Sequence, residues 1–496
     1  MFPRRIGESP QALFTLAAEH LKSSRKRDLL VFLPGPVLFS GPRLLAEIER
    51  LASSLTRFAL PHGARILLRL HHPLALPVVL PALWSRGFVP ILTEGNSPKS
   101  ERVRLAEYFA PDALLEESEE DMKGGETLFV PPLPLLHLRP WEGGDRLSLP
   151  KRTILVRTTS GSSGVPRGVA LSGSQALADA HNIITSLRLS PASRTLAAIP
   201  MGHAYGFSTL LTPLLFFGIP MILLERPLPE LFRKALGRYP ALFFPGIPLL
   251  FQLLLSSSIR PRFLRKLHPC ISAGAALPAH TALRFRERAA EPVRNFYGAS
   301  ECGAITYDRS AAGAAPPGCV GTPLAGVRLS VAGRRWVTPS TGGEAPRGRI
   351  VVEGRAVALG YVRAGVRPRP FHRKFLTGDL GRIDGSGRLF LEGRLDQMIN
   401  VGGRKVFPAE VERVLGSAPG VREVAILGMP DPLRGEVVAA VVACTGDVTP
   451  EDLIAFCRER LAAYRVPRRI EILPVIPRTA RGKVDTARLR SLLAAR

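Results

Sequence analysis

"TTSGSSGVPRG", residues 158–168, sets glycine, serine and threonine side by side and ends next to the cation of Arg167. Glycine removes side-chain bulk so that backbone N–H groups can approach a ligand. Hydroxyls add hydrogen bonds, and a guanidinium adds a permanent positive charge. The same composition suits a plain polar connector, so the stretch alone leaves two readings open, a phosphate cradle and a mobile turn. Its flanks narrow the fold. "RTILVRT" (152–158) and "GVALS" (168–172) read as strands, and a helix begins only near Ser174. A Walker P-loop needs G-x-x-x-x-G-K-[ST] running straight into a helix, and a dinucleotide fold needs G-x-G-x-x-G in the same place. Neither is present, so a phosphate-binding role requires the stretch to act as a flap on a hairpin.

Upstream, residues 10–22 read as a helix with Ser9 as N-cap and Pro10 at its first position, and a second helix is expected over 42–57. "ARILLRL" (64–70), "FVPILT" (88–93) and "ALLEE" (113–117) read as short buried strands separated by helical stretches such as 74–86. This alternation predicts layered α/β structure. Residues 118–150 are polar and proline-rich and are expected to form an irregular connection. Downstream, "PMGHAYGF" (200–207), "ALFFPG" (241–246), "HPCISAGAAL" (268–277) and "VRNFYGASE" (293–301) end in polar or glycine-rich tips. In open α/β sheets ligands collect at such strand ends. From about 316 to 393, glycine turns between short strands predict a small β-rich subdomain. The tail holds helices at 407–416 and 449–464 and strands at 422–428, 437–443 and 468–473. A large N-terminal domain, 1–393, followed by an α+β C-terminal domain, 394–496, is the expected division.

The 496 residues are 46% hydrophobic, enough for large cores. The longest apolar runs, 210–224 and 241–255, are interrupted by proline and glycine and read as buried elements, not membrane spans. The N-terminus lacks the apolar core of a signal peptide, so a cytoplasmic location is expected. Cys270, Cys302, Cys319, Cys444 and Cys457 are scattered, which indicates neither a disulfide framework nor a zinc site. The formal charge is +26. It is spread along the chain as arginine, without a basic helix or aromatic-and-basic stripe, which disfavours nucleic acid as a partner. A general preference for arginine and an acidic partner both remain open.

Six stretches in order carry a resemblance: "TTSGSSGVPRG", "PMGHAYG" (200–206), "NFYGASE" (295–301), "LTGDLGRID" (376–384), "GRLDQMINVGGRKVFPAEVE" (393–412) and "PRTARGK" (477–483). Together they are similar to the core motifs of the adenylate-forming superfamily, which includes acyl- and aryl-CoA synthetases, adenylation domains and luciferases. The resemblance implies a large N-terminal domain of layered α/β subdomains with a small β-rich subdomain, followed by a small mobile α+β domain. It implies a two-step reaction: a carboxylate attacks the α-phosphate of ATP, releasing pyrophosphate, and a thiol then displaces AMP. It further implies ATP, Mg²⁺ and CoA, or the phosphopantetheine of an acidic carrier protein, as reaction partners of a carboxylic acid.

By the same resemblance, Thr159, Ser160, Gly161, Ser162, Ser163, Gly164 and Arg167 would contact the β- and γ-phosphates. Ser163 stands where the family usually has threonine, and Arg167 where it usually has lysine. Ser300 would lie beside the α-phosphate and Glu301 on Mg²⁺, for which a hard oxygen ligand is suited. On its own Glu301 could equally be a solvated acid. Gly274, Ala275 and Ala276 with Tyr297 and Gly298 would form the walls around adenine, small residues on one side and a ring on the other. Asp379 would hold the ribose hydroxyls, with Arg394 reaching the same sugar. His203 resembles the gate beside the acyl carboxylate.

Lys483 resembles the catalytic lysine of the first step. A slim ammonium can enter between carboxylate and α-phosphate where a broad guanidinium fits less easily. Arg481 replaces a small hydroxylic residue in that motif. For the second step the family rotates its C-terminal domain about a hinge at the position of Asp396, bringing Gly402 and Gly403 to line the thiol channel. Asn400 stands where many members have lysine. The absence of an acid in "MGHAYGF" disfavours an amino-acid substrate, and Phe207, Phe243, Phe244 and Ile247 favour a fatty or aryl acid. The reading from another class is a nucleotide-binding or nucleic-acid-associated protein of the same fold without turnover. The two separate on Lys483→Ala: for the enzyme, acid-dependent exchange of pyrophosphate into ATP falls on the order of 10²-fold or more, measured with labelled pyrophosphate.

Overall fold

In the computed structural model, the described residues are 8–24, 28–93, 99–118, 126–128, 131–141, 143, 147–159, 167–310, 316, 318–332, 347–479 and 484–494. The chain divides into two compact units, one of Met1–Gly313, Pro323–Arg328 and Val352–Phe375, the other of Ala314–Thr322, Leu329–Val351 and Leu376–Arg496.

In the first unit the hairpin expected around the opening stretch is present. Thr153–Thr159 pairs antiparallel with Arg167–Ser172, from Thr153↔Ser172 to Thr159↔Arg167. The helix Gly173–Leu187 follows at once, because Ser172 and Gln175 form a reciprocal capping box at its start. This hairpin lies inside a nine-stranded sheet, as its third and fourth strands. On one side lie the parallel strands Val89–Leu92, Arg65–Arg69 and Ala113–Ser118, and on the other Gly360–Arg363 and Val366–Pro370. A further run of strands in this unit includes the parallel set Leu242–Gly246, Leu267–Ser272 and Val293–Ala299.

One apolar cluster draws on both sheets and on the helices, with Leu13, Ile66, Leu155, Leu177, Phe232 and Phe244 all fully or almost fully buried. Trp84 sits in it, donating its indole N–H to the Ile154 carbonyl at 2.9 Å, so the ring's one polar atom is answered. The first helix, Pro10–Ser23, begins as expected, with Ser9 accepting from the Ala12 amide.

Two expectations differ from the structure. Residues 118–150 are not wholly irregular: Leu135–Pro140 pairs antiparallel with Ala113–Ser118 and with Glu126–Leu128. Its prolines bracket a strand whose Leu136 and Leu138 enter the core. The β-rich segment 316–393 is not one subdomain, since Gly360–Arg363 pairs with Arg167–Ser172 and extends the nine-stranded sheet. The two compact units are each discontinuous along the chain. Lys374–Ile383 and Leu389–Arg394 pair from Asp379↔Arg394 to Ile383↔Leu389, and all but the first two residues of this strand pair group with the C-terminal part of the chain.

In the second unit, Val421–Asp431 and Gly435–Cys444 form a long antiparallel pair, with Arg469–Ile472 parallel to the latter and the hairpin Ile399–Val401/Arg404–Val406 at its other edge. Alternate side chains enter different cores, as the two-residue period of a strand requires. Ile426, Val438, Ala440 and Val442 pack with Val411 and Leu453, while Leu427, Ala439 and Val441 pack with Leu489 and Leu493. The helix expected over 449–464 spans Pro450–Arg458; beyond it the chain turns, and Leu461 and Tyr464 fold back onto the core that Leu453 and Cys457 enter.

Among the described residues no helix is long and apolar enough to cross a membrane. The five cysteines are all free thiols. Trp84→Ala removes a fully buried indole and its hydrogen bond, and is expected to destabilise the first unit by about 3–5 kcal/mol, read as a lowered urea midpoint.

Candidate active site

At the end of the hairpin next to residues 160–166, Thr159 and Arg167 face each other across the strands, and the Thr159 hydroxyl donates to the Arg167 carbonyl at 3.4 Å. Ser160, Gly161, Ser162, Ser163 and Gly164 lie outside the described residues. Arg167 extends its guanidinium over the ring of Tyr361, 5.4 Å from the centroid. Tyr361 in turn donates its hydroxyl to Glu301 Oε1 at 2.7 Å. The Glu301 backbone is held as well, its carbonyl accepting from the Ala358 amide at 2.8 Å. Two expected site residues from distant parts of the chain, Arg167 and Glu301, therefore meet on a third that the sequence did not single out. A tyrosine within a short strand carries no signal distinguishing it from ordinary core. Its ring does pack edge-on against Phe371, at 4.9 Å. Burial, and then the Glu301 carboxylate, push its phenol well above the usual range, so it remains a donor throughout the neutral region.

Glu301 fits a magnesium ligand. Among the described residues nothing but Tyr361 bonds to its carboxylate, and no group of three or more His, Cys, Asp or Glu forms a cage elsewhere. Mg²⁺ is commonly held by one or two carboxylates together with phosphate oxygens and water.

Of the residues expected around adenine, Gly274, Ala275 and Ala276 follow the strand Leu267–Ser272, and Tyr297 and Gly298 lie on Val293–Ala299, which pairs with it in parallel through Ser272↔Asn295. Ser300 follows in the turn before Gly303–Tyr307. His203 caps the helical segment that begins at Ala204 and accepts the Phe207 amide at 2.8 Å through its carbonyl. That segment passes through a π-helical stretch, Phe207–Leu211, a deviation often found at functional sites.

Beneath these pieces lies a buried polar group. Asp179, on the helix Gly173–Leu187, accepts from the Ala304 amide at 2.8 Å and from the Ser208 hydroxyl. Burial raises its pKa, opposed by those two bonds and by Arg157. Arg157 stacks over Phe207, 4.7 Å from the ring centroid, and burial pulls its pKa down to about 10, which still leaves it charged at neutral pH. Neither residue was marked by the sequence.

In the second unit Asp379 and Arg394 also meet, with Nη1 of Arg394 3.6 Å from Asp379. The Asp379 amide donates to Thr377 Oγ1 at 3.1 Å, within the strand Lys374–Ile383. The fork of Arg394 closes mainly on Asp396, at 3.0 and 3.2 Å, so the expected hinge residue and the expected ribose contact share one guanidinium. Gly402 and Gly403 form the tip of the hairpin Ile399–Val401/Arg404–Val406 with φ of 57° and 83°, a left-handed pair that disfavours side chains. Neighbouring Asn400 donates its amide to Glu436 at 2.8 Å. Lys483 and Arg481 lie outside the described residues.

The family model described as AMP-binding enzyme matches residues 21–362, and that of the AMP-binding enzyme C-terminal domain matches residues 410–483. The chain belongs to the AMP-binding enzyme family. The long-chain-fatty-acid–CoA ligase of Bacillus subtilis is 29% identical over 68% of this AMP-binding enzyme and 61% of its own length. The feruloyl-CoA synthase of an Amycolatopsis species is 32% identical over 68% and 69% of the two chains. In fold, ATP-bound MatB from Rhodopseudomonas palustris superposes with a TM-score of 0.80, covering 98% of this chain and 99% of its own at 23% identity.

The aromatic residues taken as favouring an apolar acid do not all line a site in this AMP-binding enzyme. Phe244 is fully buried and packs edge-on against Phe232 and Phe251, at 5.7 and 5.4 Å, as ordinary core, while Phe207 carries a cation on its ring. The Tyr361–Glu301 bond is testable by removing one atom. Tyr361→Phe keeps the ring and is expected to raise KM for MgATP by about tenfold, the scale of a hydrogen bond to a charged group, with a much smaller change in the melting temperature.

Proposed function

We propose that the protein is an acid–thiol ligase: it activates a carboxylic acid with ATP to an acyl-adenylate, releasing pyrophosphate, and passes the acyl group to the thiol of CoA. The observation that carries this reading is the convergence of Arg167, Tyr361 and Glu301. A cation on the flap, a carboxylate and the phenol between them are what a metal-bound triphosphate needs from a protein. When bound, Mg²⁺ neutralises charge on the phosphate oxygens. Tyr361 orients the Glu301 carboxylate toward it, and Arg167 offers its charge to the leaving pyrophosphate. Asp379, fixed by Thr377, offers its oxygens to the ribose hydroxyls. His203 begins a helical segment at the proposed acid end of the site. Lys483 supplies the ammonium of the first step, and Gly402 and Gly403 the narrow channel of the second.

Relatives named as feruloyl-CoA synthase, 2-succinylbenzoate–CoA ligase from Bacillus mycoides and sulfoacetate–CoA ligase from Cupriavidus necator favour CoA as the acceptor over a carrier protein. With the long-chain-fatty-acid–CoA ligase they span fatty, aromatic and small polar acids, so they favour none of these classes over the others. The charge of +26 is the one feature that favours an acidic carrier protein instead. Incubation with ATP, Mg²⁺ and a panel of fatty, aryl and dicarboxylic acids is expected to give pyrophosphate exchange with at least one acid. Adding CoA is then expected to yield its thioester and AMP in equal amounts. Exchange followed by thioester only on a carrier protein would overturn the choice of acceptor, and no exchange with any acid would overturn the ligase reading.

A further inference from the structure

Arg157 is the most unusual charged residue among those described. Its Nε, Nη1 and Nη2 are all buried and, among the described residues, none has a hydrogen-bond partner. A guanidinium has five donors, and burying one without an acceptor is costly unless opposite charge lies close by. Its electrostatic neighbours are Asp179 first and Glu301 second, and its guanidinium lies over the face of Phe207, 4.7 Å from the ring centroid.

The placement of Asp179 explains why such a cation is tolerated. Its two carboxylate oxygens are divided between Ala304, just after the turn that carries Ser300 and Glu301, and Ser208, in the π-helical stretch that follows His203. One carboxylate thus ties the metal side of the site to the acid side. The approach is tight, since a Cβ on Gly303, whose φ is +71°, would collide with that carboxylate. Arg157 itself lies on Thr153–Thr159, the strand that leads into the flap. The pair joins four segments of the site, although Asp179 belongs to none of the six sequence motifs and Arg157 ends just before the first of them.

We propose that Arg157 and Asp179 are positioning residues, a buried cation and a buried carboxylate of balancing charge, that keep Glu301 available to Mg²⁺. Asp179 holds the turn bearing Glu301, and its charge retains the unbonded Arg157 guanidinium, which would otherwise take Glu301 as its own partner. This rests on the proposed role of Glu301 as the metal ligand.

The test measures binding, not turnover: ATP affinity by calorimetry with Mg²⁺ and with EDTA, for wild type, Asp179→Asn, Arg157→Met and the double variant, alongside thermal melting. In Asp179→Asn the amide still accepts from Ala304, but the charge holding Arg157 is gone. The affinity gained from Mg²⁺ is expected to fall about tenfold, the scale of a charged hydrogen bond captured by the wrong partner, with metal-free ATP affinity within about threefold of wild type. Arg157→Met in that background removes the competitor and is expected to restore the Mg²⁺ gain to within about threefold of wild type. Arg157→Met alone is expected to leave the gain equal or larger, which keeps the proposal testable should Asp179→Asn fail to fold. A gain unchanged in Asp179→Asn, a double variant no better than it, or a gain lost in Arg157→Met would overturn the pair. A wild type whose ATP affinity ignores Mg²⁺ would overturn the role of Glu301 instead.

Discussion

The Asp179 carboxylate is the constraint on which the first unit's site depends. A buried carboxylate survives only when its lone pairs are answered and its charge is balanced. Asp179 meets that demand with the Ala304 amide, the Ser208 hydroxyl and the nearby Arg157 charge. None of these groups is adjacent in sequence. The helix Gly173–Leu187 therefore fixes the distance between the turn of Ser300 and Glu301 and the segment after His203. Gly303 is required there because the turn passes against the carboxylate with a left-handed backbone.

Strand register sets the other half of the arrangement. Gly360–Arg363 lies antiparallel to Arg167–Ser172 with Tyr361 opposite Val169, two residues from Arg167. A slip by one residue would turn the Tyr361 ring to the other face and separate it from both Arg167 and Glu301. The ring is held in that register by Phe371 and by the cation above it. Sheet geometry thus holds Arg167, Tyr361 and Glu301 together.

Much of this could be read from the sequence, and the remainder could not for definite reasons. The hairpin at 153–172 was legible because two short apolar runs flank a glycine- and serine-rich turn, and the cap at Ser9–Pro10 because its chemistry is local. Leu267–Ser272 and Val293–Ala299, which lead into or carry Gly274–Ala276 and Tyr297–Gly298, were legible as neighbouring strand ends of an α/β sheet. Asp379 and Arg394 came together because their strands pair directly. Tyr361, Asp179 and Arg157 were invisible because their roles arise only from contacts made across long stretches of chain. Residues 118–150 misled because prolines that end a strand look the same in sequence as prolines that prevent one. Phe244 misled because an aromatic near a strand tip can face the core as readily as a ligand.

Hydrogen exchange followed by mass spectrometry, comparing wild type with Asp179→Ala, tests the clamp most directly. If the carboxylate joins the two sides, the Ala304 amide and the amides of residues 204–211 exchange slowly in wild type and lose protection together in the variant. Protection lost on one side alone, or unchanged on both, would contradict it.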